Sequence, residues 1–178
     1  EFLRATFVLE LGGRLWSLIH KPTRRELLFA NPVFQPANFA VRDAWFSGGV
    51  EWNISIIGHC PFTCSPLFAA RVMHDDRKTP VLRMYEWERI RRVPFQIDCW
   101  LSDDLPFLMA RVRIRNPNDH AIPMYWWSNI GVPEREDVRV LGPSSQAYRH
   151  DYDGKLVGHD VPYYENTDVT YTTNRRSA

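Results

Sequence analysis

A regular alternation of apolar and charged residues near the middle of the chain constrains its fold most strongly. Between residues 107 and 115, the apolar Ala110, Val112 and Ile114 are each followed by an arginine. Because successive side chains of a strand point to opposite faces of a sheet, this pattern predicts a strand with one buried and one solvated face. Similar patterns predict further strands at residues 81–90, 95–101 and 122–132.

Short links join these predicted strands. Consecutive strands with such links are expected to be antiparallel neighbours, which predicts a meander. A separate hairpin is predicted near the N-terminus, where two alternating segments flank Gly12 and Gly13. Since no segment carries a sustained helical stripe, we predict an all-β fold. The links, all rich in turn-forming residues, are 91–94, 102–106 and 116–121.

The stretch 44–66 groups the residues that point most clearly to a function. Trp45 precedes a double-glycine turn, and the strand predicted after that turn places Glu51 and Asn53 on the same face. His59 lies just past the end of this strand. Aromatic rings cover the apolar faces of a pyranose, and planar polar groups bind its hydroxyls. We therefore predict a carbohydrate site here, with Glu51 and His59 as candidate catalytic residues.

A second aromatic stretch, YWWSN, is expected to contribute to the same site. Adjacent tryptophans on a strand face opposite sides, so one of Trp126 and Trp127 is expected in the core and the other at a ligand. Asn129 shares the face of Trp127. Trp45, Asn53, Trp127 and Asn129 are accordingly the predicted substrate-binding residues.

Composition narrows the remaining classes. The 178 residues predict one domain over 1–178, and the net charge of +1 argues against general binding to nucleic acid or to a membrane surface. Three cysteines form no disulfide framework, which favours a reducing compartment such as the cytoplasm. Cys60 and Cys64 lack a second close pair of ligands, so neither a metal nor any other cofactor is predicted.

Several stretches resemble a bacterial family of unknown function within the galactose mutarotase-like superfamily, whose members often precede tetratricopeptide repeats. They are GGRLWSL, NPVFQPANFAVRDAWFSGG, GGVEWN and YWWSN, and the resemblance runs from residue 3 to 176. It implies an antiparallel β-sandwich, the supersandwich of the mutarotases, in which a concave sheet face binds sugars. It also implies that this chain is the N-terminal half of such a domain.

The same resemblance implies sugar binding more than mutarotation. If Asn129 matches the last asparagine of the epimerase motif, Tyr125 stands where the acid histidine is expected. A tyrosine, with a pKa near 10, is a poor general acid at neutral pH. The glutamate base of the epimerases would lie beyond Ala178, whereas His59 matches a sugar-contacting loop histidine.

Three functions remain open on these grounds. The first is a domain that binds or processes carbohydrate on a concave sheet face. The second is a glycoside hydrolase or epimerase that uses Glu51, and the third is a non-catalytic protein-interaction module attached to repeats. Because half a supersandwich leaves strand edges and apolar faces uncovered, self-association is also expected.

Overall fold

The computed structural model describes residues 1–34, 47–54, 58–76, 78–150 and 153–173. These residues form antiparallel strands and a single turn of 3₁₀ helix, Pro61–Cys64. The all-β prediction is therefore confirmed. The strands are β1 (Leu3–Val8), β2 (Arg14–His20), β3 (Arg25–Glu26), β4 (Val50–Ile54), β5 (Phe68–Met73), β6 (Pro80–Glu88), β7 (Val93–Leu101), β8 (Leu108–Ile114), β9 (Trp126–Ile130), β10 (Gln146–His150), β11 (Leu156–Asp160), β12 (Tyr163–Tyr164) and β13 (Thr167–Asp168).

The described chain divides into two compact units, Glu1–Val132 and Pro133–Ala178. The first unit is a β-sandwich of a five-stranded sheet, in the order β1-β2-β4-β9 with β3 beside β2, and a four-stranded sheet, β5-β6-β7-β8. The second unit contains two hairpins, β10-β11 and β12-β13. The single domain expected over 1–178 stays a prediction.

The core of the first unit lies between its two sheets. Ile54 of β4 packs with Met84 of β6 and with Phe95 and Ile97 of β7. Trp52 and Trp126 stack at 6.4 Å beside this cluster. Burial of these side chains is the main favourable term for the unit, and it fixes which face of each sheet points outward.

The predicted meander is present but is displaced by one strand. Strands β5 to β8 pair in sequence, whereas β9 leaves this sheet and pairs with β4, with Trp127 opposite Asn53. The expectation that residues 122–132 continue the meander was therefore wrong. The link between β8 and β9 includes Pro117 and Pro123, and it is long enough to cross to the other sheet.

No helix within the described ranges is both long enough and apolar enough to cross a membrane.

The three cysteines differ in accessibility. Burial raises the pKa of Cys60 to about 11 and that of Cys99 to about 12, whereas Cys64 is only half-buried. Because the thiolate is the reactive form, we expect one thiol of the folded protein to react rapidly with a disulfide reagent at pH 8, and the other two only on unfolding. A Cys64→Ser variant should lose the rapid phase, and three rapid thiols would contradict this assignment.

Candidate functional site

Strand β4 places Glu51 and Asn53 on the outer face of the five-stranded sheet, since Trp52 and Ile54 point into the core. Neither side chain reaches solvent. Glu51 is 3% exposed and Asn53 is 0% exposed. The segment 58–66, which includes the 3₁₀ turn, covers both of them.

The polar groups of this covered cluster are joined by hydrogen bonds. Glu51 Oε1 accepts bonds from His59 Nδ1 at 2.9 Å and from Thr63 Oγ1 at 2.8 Å. Asn53 Oδ1 accepts a bond from the backbone N–H of Cys60 at 2.6 Å. These bonds satisfy buried oxygen atoms, so they hold the covering segment against the sheet.

A buried arginine accompanies this cluster. Arg14 at the start of β2 is 2% exposed and donates from Nη1 to the carbonyl oxygen of Gly48 at 2.8 Å. Burial lowers the pKa of Arg14 from its usual value, while attraction to Glu51 opposes that shift. Arg14 thus supplies a positive charge near Glu51, and it was not among the residues predicted for this site.

A carbohydrate site at Glu51 and Asn53 requires side chains that a sugar can reach, whereas the structure covers both of them. The sequence pattern placed the two side chains on one face correctly, but it carried no information about the segment that packs over that face. What Glu51, Asn53 and His59 contribute to a reaction or to sugar binding stays a prediction.

His59, Trp127 and Asn129 lie nearer the surface. The His59 side chain is 38% exposed, and its ring lies 5.3 Å from the ring of Trp127. The Trp127 indole N–H donates to the carbonyl oxygen of Gly58 at 3.3 Å, and Asn129, opposite Glu51 in register, is exposed. Trp45 lies outside the described residues. The structure thus brings His59 and Trp127 together at the rim of the covered cluster.

A concave surface separate from this covered cluster lies on the outer face of the four-stranded sheet. It is a groove of about 940 Å³ that crosses strands β5 to β8. Among the described residues that line it, none was a predicted site residue. We call it the aromatic groove, and its outward-facing residues are Phe68, Tyr85, Trp87, Gln96, Arg113 and Arg115.

Strand register arranges the aromatic groove in rows. One row runs across all four strands and a second runs beside it on β6, β7 and the end of β8. The first row consists of Phe68, Tyr85, Gln96 and Arg113. The second consists of Trp87, Pro94 and Arg115, where the Arg115 N–H donates to the carbonyl oxygen of Pro94 at 3.1 Å.

Aromatic side chains occupy the β5–β6 side of this groove. Phe68 and Tyr85 stack with their ring centroids 5.7 Å apart and an interplanar angle of 25°. Phe68 is 60% exposed and Trp87 is 45% exposed. Contiguous large rings on the solvent face of a sheet, rather than in its core, are typical of protein interfaces and of ligand-binding grooves.

A buried carboxylate, Asp98, lies beside the groove and binds two of the residues that line it, Arg83 and Gln96. Asp98 accepts two hydrogen bonds from Arg83, at 2.7 and 2.8 Å, and further bonds from Arg111 and Gln96. Hydrogen bonds from Arg83 are the largest cause that holds the pKa of Asp98 below its usual value. This network holds Gln96 and Arg83, both of which line the groove, in fixed positions.

The sequence did contain a signal for the aromatic groove. Tyr85 and Trp87 alternate with the buried Met84 and Glu88, so both point away from the core. The position of Phe68 beside Tyr85 depends on strand pairing, which local pattern does not give. No group of three or more His, Cys, Asp or Glu side chains suited to a metal ion occurs in the part of the chain that the structure describes.

Comparison with known proteins identifies the family. A family model described as a domain of unknown function, DUF5107, matches residues 1–176. The chain belongs to this family. The predicted resemblance to a bacterial family of unknown function is thereby confirmed in its broad form, whereas membership of the galactose mutarotase-like superfamily stays a prediction.

The DUF5107 domain is also similar to a solved structure, a TPR-domain containing protein from Parabacteroides distasonis. The match has a TM-score of 0.76 and 25% sequence identity, and it covers 95% of this chain. It covers 28% of the other protein, so the domain spans about a quarter of that protein's length.

Proposed function

We propose that this DUF5107 domain binds carbohydrate and that the sugar lies in the aromatic groove of the four-stranded sheet. The observation that carries the proposal is the placement of Phe68, Tyr85 and Trp87 in one open groove. The proposed ligand is still a carbohydrate and the proposed binding surface is still a sheet face, as predicted from the sequence. The proposed site, however, lies on β5–β8 instead of β4 and β9.

The chemistry of the groove supports this ligand. Exposed indole and phenol rings offer flat apolar platforms on which the C–H faces of a pyranose stack. The Gln96 amide and the guanidinium groups beside it offer planar donors to ring hydroxyls. The volume of about 940 Å³ lies near the upper end of the range of small-ligand sites, which suits a short oligosaccharide.

Titration calorimetry of the full chain against a panel of mono- and oligosaccharides tests the proposal. We expect at least one glycan to bind. Trp87→Ala and Tyr85→Ala should each weaken its affinity roughly 2- to 12-fold, because a stacking contact contributes about 0.5–1.5 kcal/mol. Tyr148→Ala removes an exposed ring from the second unit and is the matched control.

Failure of every glycan to bind, or an equal loss in Tyr148→Ala, would overturn the proposal. The domain would then be better described as a non-catalytic protein-interaction module. The similarity to part of a TPR-domain containing protein is compatible with that alternative. The expected self-association is kept as a separate proposal, which sedimentation velocity of the same samples would test.

A second candidate function is catalysis at the covered cluster. It is favoured by one contact, the 2.9 Å bond that joins the buried Glu51 carboxylate to the partly exposed His59 ring. A carboxylate that orients an imidazole is a common arrangement for a general base. Release of reducing sugar that disappears in His59→Gln but persists in Trp87→Ala would support it.

A further inference from the structure

We infer that the aromatic groove selects acidic saccharides, with their carboxylate or sulfate groups bound by Arg113 and Arg115. This inference rests on the proposed function and adds the class of sugar. The arginines on this face of the sheet differ in whether a carboxylate of the protein binds them.

Two of these arginines are neutralised within the protein. Asp98 accepts paired hydrogen bonds from Arg83 and a further bond from Arg111 at 3.3 Å. Arg111 in addition approaches Asp75 at 3.5 Å and lies over the Trp100 ring. Asp98 and Asp75 therefore balance the charges of Arg83 and Arg111, which leaves these two arginines poorly suited to bind an anionic ligand.

Arg113 and Arg115 have no such carboxylate partner among the described residues, and both are exposed. Glu86, the acidic residue among those that line the groove, alternates with the outward-facing Tyr85 and Trp87, so its side chain leaves the other face of the sheet; its carboxylate accepts a hydrogen bond from the Trp87 backbone N–H at 2.6 Å. Two guanidinium groups at the rim therefore remain for an anion, which they can bind through paired hydrogen bonds.

The spacing of the rows fits a sugar that carries an acidic group. Tyr85 and Arg113 belong to the same row and are separated by the β7 strand. Neighbouring strands lie about 4.8 Å apart, so the two positions are about 10 Å apart along the row. A sugar unit stacked on Tyr85 or Trp87 would place an acidic group on itself or on the next unit within reach of Arg113 or Arg115.

Matched pairs of neutral and acidic oligosaccharides test this inference. Galactotriose and galacturonotriose with the same α-1,4 linkage differ only at C6, and cellotriose with its glucuronate counterpart forms a second pair. At low salt we expect the acidic member of at least one pair to bind tenfold or more tightly than the neutral one. This difference in affinity should decrease as salt is added, because salt screens the attraction between the arginines and the acidic groups.

Variants separate the charge effect from the stacking effect. The double variant Arg113→Gln with Arg115→Gln should lose the preference for the acidic sugar and keep the affinity for the neutral one. Arg4→Gln, which removes an exposed arginine from β1, should leave the preference unchanged.

Each outcome decides between the two proposals. Equal binding of the neutral and acidic members in the unmodified protein would overturn this inference and leave the proposed function in place. Absence of binding to either member of every pair, and to the wider panel, would overturn both. A hexaglutamate peptide that binds as tightly as the acidic sugar would overturn the inference in favour of an acidic polypeptide ligand.

Discussion

Replacement of Asp98 by asparagine is expected to lower the free energy of unfolding by about 3 kcal/mol. The Asp98 side chain is 1% exposed and accepts hydrogen bonds from Arg83, Arg111 and Gln96. Removal of one member of a buried ion pair typically costs about 3–5 kcal/mol, since the remaining charge loses its partner. We expect a loss at the lower end of this range because both arginine side chains are 31% exposed, so water can solvate their charges when the carboxylate is absent.

Urea denaturation at pH 7 measures this loss. The matched control is Asp153→Asn, which removes an exposed ion pair with Lys155 and should leave the midpoint unchanged. If Asp98→Asn had the same urea midpoint as the unmodified protein, water would fully replace the hydrogen bonds that Asp98 accepts from the arginines. The positions of Arg83 and Gln96 in the aromatic groove would then not depend on this carboxylate.

The same carboxylate gives the stability a defined pH dependence. Hydrogen bonds from Arg83 lower the pKa of folded Asp98 below its unfolded value of about 3.9. A lowered folded pKa contributes stability that is fully present above the unfolded pKa and is lost as pH falls through the folded one. The difference in free energy of unfolding between the unmodified protein and the Asp98→Asn variant should therefore stay constant down to about pH 5 and become smaller below pH 4. A difference that persists undiminished to pH 2 would contradict this assignment.

Local alternation predicted the elements of this fold where the pattern itself encodes burial. The segment 107–115 was predicted as a strand with arginines on one face. Strand β8 (Leu108–Ile114) has Arg111 and Arg113 on that face and Val112 and Ile114 against the core, whereas Ala110 is exposed. The β1–β2 hairpin around Gly12 and Gly13 was likewise confirmed. Both features depend on residues close in sequence, so a single chain is sufficient to infer them.

Features that depend on distant pairing were not accessible in this way. The partner of β9 is β4, which lies more than 70 residues earlier and not next along the chain. The burial of Glu51 results from a segment that folds back over its strand. The aromatic groove combines Phe68 with Tyr85 through register, and register follows from tertiary packing.

The turn that precedes β4 is the point at which a single added methyl group should have the largest effect. Gly49 has a φ of +68°, and a Cβ atom there would lie 2.3 Å from the carbonyl oxygen of Leu15. Its N–H donates to Phe29 O at 2.8 Å, and its own carbonyl oxygen accepts from Gly131 N–H at 2.8 Å. The backbone at this position is therefore held by three segments and has little freedom to move away.

We expect Gly49→Ala to lower the free energy of unfolding by about 3 kcal/mol or more. A left-handed conformation alone costs a non-glycine residue about 1–2 kcal/mol, and the clash with a backbone atom adds to it because no side chain can rotate to relieve it. Urea denaturation followed by tryptophan fluorescence measures the change.

Two other glycines separate the causes of that loss. Gly58 has a φ of +109° with no described atom within 4 Å of an added Cβ, so Gly58→Ala should show the conformational cost alone. Gly142 is equally open among the described residues, and its φ lies outside the left-handed range, so Gly142→Ala should be nearly neutral. If Gly49→Ala were no less stable than Gly58→Ala, the close approach of Gly49 to β2 would have no energetic consequence. The position of Glu51, two residues further on, would then have to be maintained by the bonds from His59 and Thr63 instead of by this turn.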